Sequence, residues 1–217
     1  MKRSGWLVAV VVALLSLTAG GGLRAADTLA SAPGGPFTLV DHRGRAVTDG
    51  DFRGKFLLVF FGYTHCIDVC PTTLFEIAMV MERLGPSSRN IQPLFITVDA
   101  ERDTPEVMAE YVDAFDAGII GLSGTREEIL RVATAYKVHY AKPSHETRSE
   151  PHGHEHAHYG EHHASYNVEH SPFIYFMGPT GEYVSHFAPR TSLEGMVRTI
   201  RDAIERLAPN LAERPPR

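Results

Sequence analysis

The chain predicts an α/β fold: a central mixed sheet flanked by helices, with an N-terminal β-hairpin and a histidine-rich loop insertion. Three observations carry this. Apolar runs without alternation, at 55–61 and 94–98, fit strands buried on both faces of a sheet. Stretches of helical period separate such runs, so strands and helices alternate. Two strand-like segments before the last helix, 173–177 and 182–187, flank a Gly178-Pro179-Thr180-Gly181 turn and add antiparallel strands.

The first segment is for targeting. Lys2 and Arg3 precede an apolar run from Trp6 to Ala19, and small residues follow to Ala25-Ala26, which reads as a signal peptide over 1–26. The run is short against the ~20 residues of a membrane span. Leu23 and Arg24 blur the cleavage zone, so an uncleaved N-terminal membrane anchor is the alternative. Both readings export the rest of the chain, to the bacterial periplasm or the outer face of the inner membrane. The absence of a cysteine after the apolar run argues against a lipoprotein.

Residues 27–36 read as a linker, 37–208 as one domain and 209–217 as a flexible tail. Phe37-Thr38-Leu39-Val40 and Ala46-Val47-Thr48 form the hairpin around Asp41-His42-Arg43-Gly44. After the strand at 55–61, a helix is predicted from Pro71 to Leu84, with Leu74, Ile77, Ala78, Met81 and Leu84 on its core face and Gly85-Pro86 as its stop. Thr104-Pro105 opens the next helix as N-cap and first helical residue, and Val107, Met108, Tyr111, Val112 and Phe115 are its apolar positions. A short strand at 119–122 precedes a helix capped by Thr125. Thr191-Ser192 open the last helix, which runs to about Leu207. Met79, Met81 and Met108 fit core filling.

Charge narrows the function. Removing residues 1–26 takes away Lys2, Arg3 and Arg24 and leaves 18 basic against 26 acidic residues, a net charge of −8. That argues against a nucleic-acid partner.

The two cysteines, Cys66 and Cys70, follow the first buried run and precede a helical pattern, which is the thioredoxin arrangement. The positive end of the helix favours thiolates, and a thiolate serves both disulfide exchange and metal binding. A structural disulfide is the bland reading for an exported protein, but so short a loop gains little from closure. The spacing is wider than the CxxC of dithiol oxidoreductases. A peroxiredoxin's PxxxTxxC is absent, since Val59 and Tyr63 stand at its proline and threonine positions.

His170 bears on the choice. The run from Pro172 to Gly181 has the shape of the thioredoxin segment in which a cis-proline precedes a strand and a glycine turn. In that fold the proline loop packs beside the cysteines, so His170 comes within reach of the sulfurs. Two thiolates select Cu(I), and an imidazole also suits Cu(II). A structural zinc site normally has four ligands.

The chain resembles the SCO/SenC family of thioredoxin-fold copper proteins. The resemblance rests on GPFTLVD (35–41), DFRGK (51–55), FFGYTHCIDVCPTTL (60–74), TVDAERDTPE (97–106) and VEHSPFIYFMGPTG (168–181). It implies one copper ion per domain, Cu(I) or Cu(II), held by Cys66, Cys70 and His170. It also implies a metallochaperone that delivers copper to the dinuclear copper centre of cytochrome c oxidase. The implied partner is the copper-receiving oxidase subunit; another periplasmic copper carrier or a thioredoxin-like reductant are further candidates. The second function class is an enzyme: a thiol–disulfide oxidoreductase that uses Cys66 and Cys70 to reduce the cysteines of a client copper site. Three departures from the family pattern stand out: Ile67 where proline is usual, Glu169 where aspartate is common, and an unusually histidine-dense loop.

Two features lie outside that pattern. Asp99, Glu101, Arg102 and Asp103 read as solvated helix-start capping and a surface ion pair, or as a face that docks a partner. Residues 141–167 hold His145, His152, His154, His156, His158, His162 and His163 without an apolar period, either a solvated insertion or a low-affinity metal buffer. If it buffers copper, deleting 143–163 lowers copper loading at limiting metal. Unchanged loading in a dialysis assay removes that role.

Overall fold

The structure is a computed structural model that describes residues 32–141, 169–170 and 172–207. The leader, the linker up to residue 31, the tail from 208 and nearly all of the histidine tract lie outside these residues. The described chain opens with an antiparallel pair, β1 (Thr38–Asp41) and β2 (Ala46–Thr48). The turn between them is closed by Asp41, whose carboxylate accepts from Arg43 N, Arg45 N and Arg45 Nε. β3 (Phe56–Gly62) follows, buried at every position. Helix α1 (Val69–Leu84), β4 (Ile91–Thr97), α2 (Pro105–Asp113), β5 (Ile120–Ser123) and α3 (Arg126–Ala135) complete two parallel crossovers and the helix after them. The ladder β6 (Tyr140–Ala141) with β7 (Glu169–His170) brackets the histidine tract. β8 (Ile174–Met177), β9 (Tyr183–Phe187) and α4 (Leu193–Leu207) end the described chain.

The main sheet runs β2-β1-β5-β4-β3-β8-β9. β3, β4 and β5 are parallel, and every other pairing in it is antiparallel. The sheet is therefore mixed, with its continuous apolar strands at the centre, where both faces are covered. Alternation along β3 sorts its side chains. Phe60 meets Phe95, which meets Tyr111 of α2, while Phe61 meets Tyr136 and Tyr175. Phe56, Phe60, Phe61, Phe95 and Phe176 are fully buried. Each such ring removes roughly 150–250 Å² from water.

Helix starts follow their signals at two sites. Thr104 Oγ1 accepts from Val107 N, and Thr125 and Glu128 form a reciprocal capping box. The first helix departs from expectation. It begins at Val69 with Asp68 as its N-cap residue, two residues earlier than Pro71 predicts. Pro71 is tolerated within the first turn because amide hydrogens there have no helical partner. Cys70 thus lies inside the helix rather than at its cap. The core face is also turned: Cys70, Thr73, Leu74, Ile77, Val80 and Leu84 are buried, whereas Ala78 and Met81 are half-buried. Its buried apolar residues join the sheet's core cluster, and the helix also packs against α4. Met108 is buried, and Met79 is half-buried.

Gly62, the last residue of β3, connects the fold to the cysteines. A Cβ there would lie 2.7 Å from Cys70 Sγ and 2.8 Å from Phe95 Cε2. Neither neighbour has room to retreat, since Cys70 and Phe95 are both 0% exposed. Gly62→Ala is expected to destabilise the domain by about 1–3 kcal/mol, the cost of overpacking a filled core. Urea denaturation checks it, and an unchanged midpoint would show that α1 shifts freely.

Candidate metal centre

The turn between β3 and α1 holds both sulfurs. Cys70 projects from the first turn of α1 onto Gly62 and is fully buried, and Cys66 lies before the helix, half-buried. Cys66 Sγ accepts from Cys70 N at 3.4 Å, and Asp68 N and Val69 N also donate to it. These are the unpaired amides of a helix start, which favour an anion. Cys70 S–H donates to the Cys66 sulfur, and Tyr63 N donates to that of Cys70.

The two thiols are therefore unequal. Burial acts to raise the Cys66 pKa, but the amides of Cys70, Asp68 and Val69 and the Cys70 thiol outweigh it and hold Cys66 below its ordinary value. Burial drives the Cys70 thiol far above its ordinary value, and the charges of Cys66 and Asp103 add to the rise. Cys66 is the ready anion and Cys70 the buried reserve. When both bind a soft cation, the ion's charge replaces the protons.

The turn is anchored from β4, and here the sequence reading needs correction. Asp99 and Asp103, read as solvated, are 0% exposed. Asp103 Oδ2 accepts from Thr64 N at 3.0 Å and from Thr97 Oγ1 at 2.5 Å, and its Oδ1 accepts from Thr64 Oγ1 at 2.6 Å. Its own carbonyl accepts from Ser123 Oγ. Asp99 pairs with Arg102, whose guanidinium lies 5.8 Å from the centre of the Tyr63 ring. Only Glu101 of this group is exposed. Asp103 is a structural member of the site because the hydroxyls that donate to its carboxylate come from Thr64 and Thr97, while Asp99 donates its N–H to Thr97 Oγ1 and pairs its carboxylate with Arg102. A charged residue next to two threonine-bearing strand ends is the sequence signal, and it is a weak one.

Sequence reasoning also passed over Tyr111 as anything but core. Its hydroxyl is buried without a hydrogen-bond partner among the described residues. Burial pushes its pKa up, with further rises from the charges of Cys70, Cys66 and Asp103.

Of the three predicted ligands, the structure brings Cys66 and Cys70 together. His170 is described by its backbone alone, in β7 opposite Tyr140. The strand that follows it, β8, starts at Ile174 opposite Phe60. The chain between them thus arrives at the carboxyl end of β3, where the cysteine turn begins. The Ser171–Pro172 bond, expected to be cis, involves a residue outside those described.

The donor chemistry fits a soft cation: two sulfurs in contact, one buried, with oxygen ligands engaged elsewhere. Comparisons with known proteins agree. The SCO1/SenC family model matches residues 25–205. The human mitochondrial SCO1 homolog is 40% identical over 156 residues, which are 71% of this chain and 47% of that protein. The chain spans about half the length of the curated relatives it matches. Among solved structures, Bradyrhizobium japonicum ScoI with copper bound is 40% identical, with a TM-score of 0.65 over 79% of this chain and 99% of that one. Yeast Sco1 with copper bound is 30% identical, with a TM-score of 0.69 over 85% of this chain and 96% of that one. The fold is thus the thioredoxin-like fold of Sco proteins.

The thiol asymmetry predicts selective chemistry. A lowered pKa leaves Cys66 richer in thiolate than an ordinary thiol at the same pH, and a raised one leaves Cys70 poorer. With the reduced domain near pH 7, iodoacetamide is expected to label Cys66 alone, and Cys70 only after denaturation. Equal labelling of the two in a peptide map would contradict the assignment.

Proposed function

The chain belongs to the SCO1/SenC family, and from that premise we propose that it is a copper metallochaperone. One copper ion, Cu(I) or Cu(II), is held between Cys66, Cys70 and His170 and handed to the copper-receiving subunit of cytochrome c oxidase. The observation that carries this reading is the arrival of the chain from β7 into β8 at the end of β3, beside two unequal sulfurs at the start of α1. Copper is the cargo that relatives with 30–40% identity hold in their solved structures. The topology supports His170 as the third ligand, since the chain from β7 into β8 leads to the end of β3. Ile67 is 92% exposed and Phe75 60% exposed, apolar groups suited to contact with a receiving protein. The leader suits delivery outside the inner membrane.

This reading is preferred to thiol–disulfide exchange, which needs the two sulfurs but no imidazole. The two are separated by an anaerobic Cu(I) competition titration of the reduced domain, residues 27–217 lacking 143–163, so that the loop histidines do not compete. One tight equivalent is expected. His170→Ala should weaken it by about 10–100-fold or more, since even a residue that only orients a ligand costs that much. Binding indifferent to His170, or no tight binding, would shift the assignment to the oxidoreductase.

A further inference from the structure

His65 stands immediately before Cys66, and the metal reading leaves it without a role. Its side chain is 52% exposed, yet its ring is held from behind. Nδ1 lies 3.1 Å from Thr64 Oγ1 and 3.8 Å from Asp103 Oδ1. Thr64 has one hydroxyl proton, and it is given to the Asp103 carboxylate at 2.6 Å. That oxygen is left only as an acceptor toward the imidazole. The neutral ring therefore carries its proton on Nδ1, and its lone pair sits on Nε2. A carboxylate that orients a histidine through one nitrogen and frees the other is the usual support of a metal-ligating imidazole. Here the carboxylate acts through one hydroxyl. Asp103 is buried and holds the Cys66 turn through Thr64 N, so ring and sulfur are fixed to one anchor.

We propose that His65 is a further copper ligand, used in transit: Nε2 takes hold of the ion at the solvent side of the Cys66 turn while the ion passes between the buried site and an external acceptor. This rests on the copper reading above. Burial sets the order of events. Cys70 is 0% exposed and Cys66 half-buried, whereas His65 is the exposed nitrogen donor next in the chain. During release, Nε2 donates its lone pair to Cu(I) as the bonds from copper to the Cys70 sulfur and to the His170 imidazole break, the freed imidazole keeping its lone pair and Cys66 alone keeping its sulfur on the ion. Cys70 then takes a proton from water. The ion remains Cu(I), and no electron is transferred. The transient pair, imidazole and thiolate, suits the same soft ion as the resident site. A two-ligand stage also leaves the copper open to an incoming donor.

The test uses the full exported chain, residues 27–217, loaded with one equivalent of Cu(I) without oxygen. Transfer to the chelator bathocuproine disulfonate is followed by stopped-flow absorbance. His65→Ala is expected to slow transfer by about tenfold and to change equilibrium affinity by less than about threefold, because losing a support of a metal site typically costs 10–100-fold in whatever it supports. Millimolar imidazole should restore the rate of His65→Ala while leaving the wild type unchanged, which a merely structural histidine would not permit. Thr64→Val, which leaves the backbone anchor to Asp103, should slow transfer in the same direction. An unchanged rate in His65→Ala, or a slow rate that imidazole fails to rescue, overturns the proposal. An affinity loss as large as that of His170→Ala also overturns it, since His65 would then be a resident ligand. Failure of the wild type to bind Cu(I) tightly is a separate result, which removes the copper reading itself and this inference with it.

Discussion

The buried carboxylate of Asp103 is the constraint on which the functional end of the domain depends. A charge with no exposed surface is tolerable only if hydrogen bonds replace its water. Asp103 takes them from the two loops it must join: Thr64 N and Oγ1 on the turn after β3, and Thr97 Oγ1 at the end of β4. Removing any one partner leaves an oxygen short of donors in the interior, so the turn has few ways to relax. The Tyr63–Cys66 segment is therefore held to β4 by side chains as well as by the parallel ladder that ends at Gly62 and Thr97. Both sulfurs inherit their positions from that anchor.

From it follows the difference between the cysteines. Holding the turn down places Cys66 Sγ in front of the amides at the start of α1, where an anion is favoured. The same packing presses Cys70 onto Gly62, where an anion is penalised by burial. One short segment thus supplies an outer sulfur that is charged at low cost and an inner one that gives up its proton only to a compensating cation. A dithiol exchanger uses such asymmetry too, with the outer sulfur as nucleophile. The sulfurs alone do not choose between these chemistries. A nitrogen ligand would, which is why the approach of β7 and β8 to the end of β3 bears on function.

How much of this was legible in the sequence depended on how local its cause was. β3 and β4 were legible because a strand covered on both faces is apolar throughout. The caps at Thr104 and Thr125 were legible because their partners lie three residues away. The start of α1 was misplaced because proline is tolerated at several positions of a first turn, and Asp68 marks the boundary without a side-chain cap. The helix face was misjudged because Cys70, Thr73 and Val80 are buried by what crosses over them, which period alone does not reveal. Asp103 was misread for the same reason at longer range: its partner Thr64 lies 39 residues away. The ladder of β6 and β7, two residues per strand, carries no periodic signal. The pairing of Cys66 with Cys70 was legible from spacing alone, whereas its polarity was not.

The topology explains why these parts meet at one end of the sheet. Parallel β3 and β4 direct their carboxyl ends to the same edge, and the loops that leave them carry Cys66 and Asp103. β8 runs antiparallel to β3, so its amino end lies at that edge too. In α/β sheets the carboxyl edge of parallel strands is the usual place for ligands, because loops there vary without disturbing the core. This fold adds an incoming strand to the two outgoing ones, and on the proposed copper reading that strand is what would let His170, from late in the chain, join Cys66 and Cys70 from early in it. A site assembled from three loops is sensitive to the register of each strand. Two buried tethers, the Asp103 hydrogen bonds and the Cys70–Gly62 contact, fix that register on the β3 and β4 side. The exposed groups on the same turn, among them His65 and Ile67, lie outside those tethers. A partner could meet these groups without straining the core, so on the proposed reading rigid holding and yielding transfer would be divided between the inner and outer halves of one short turn.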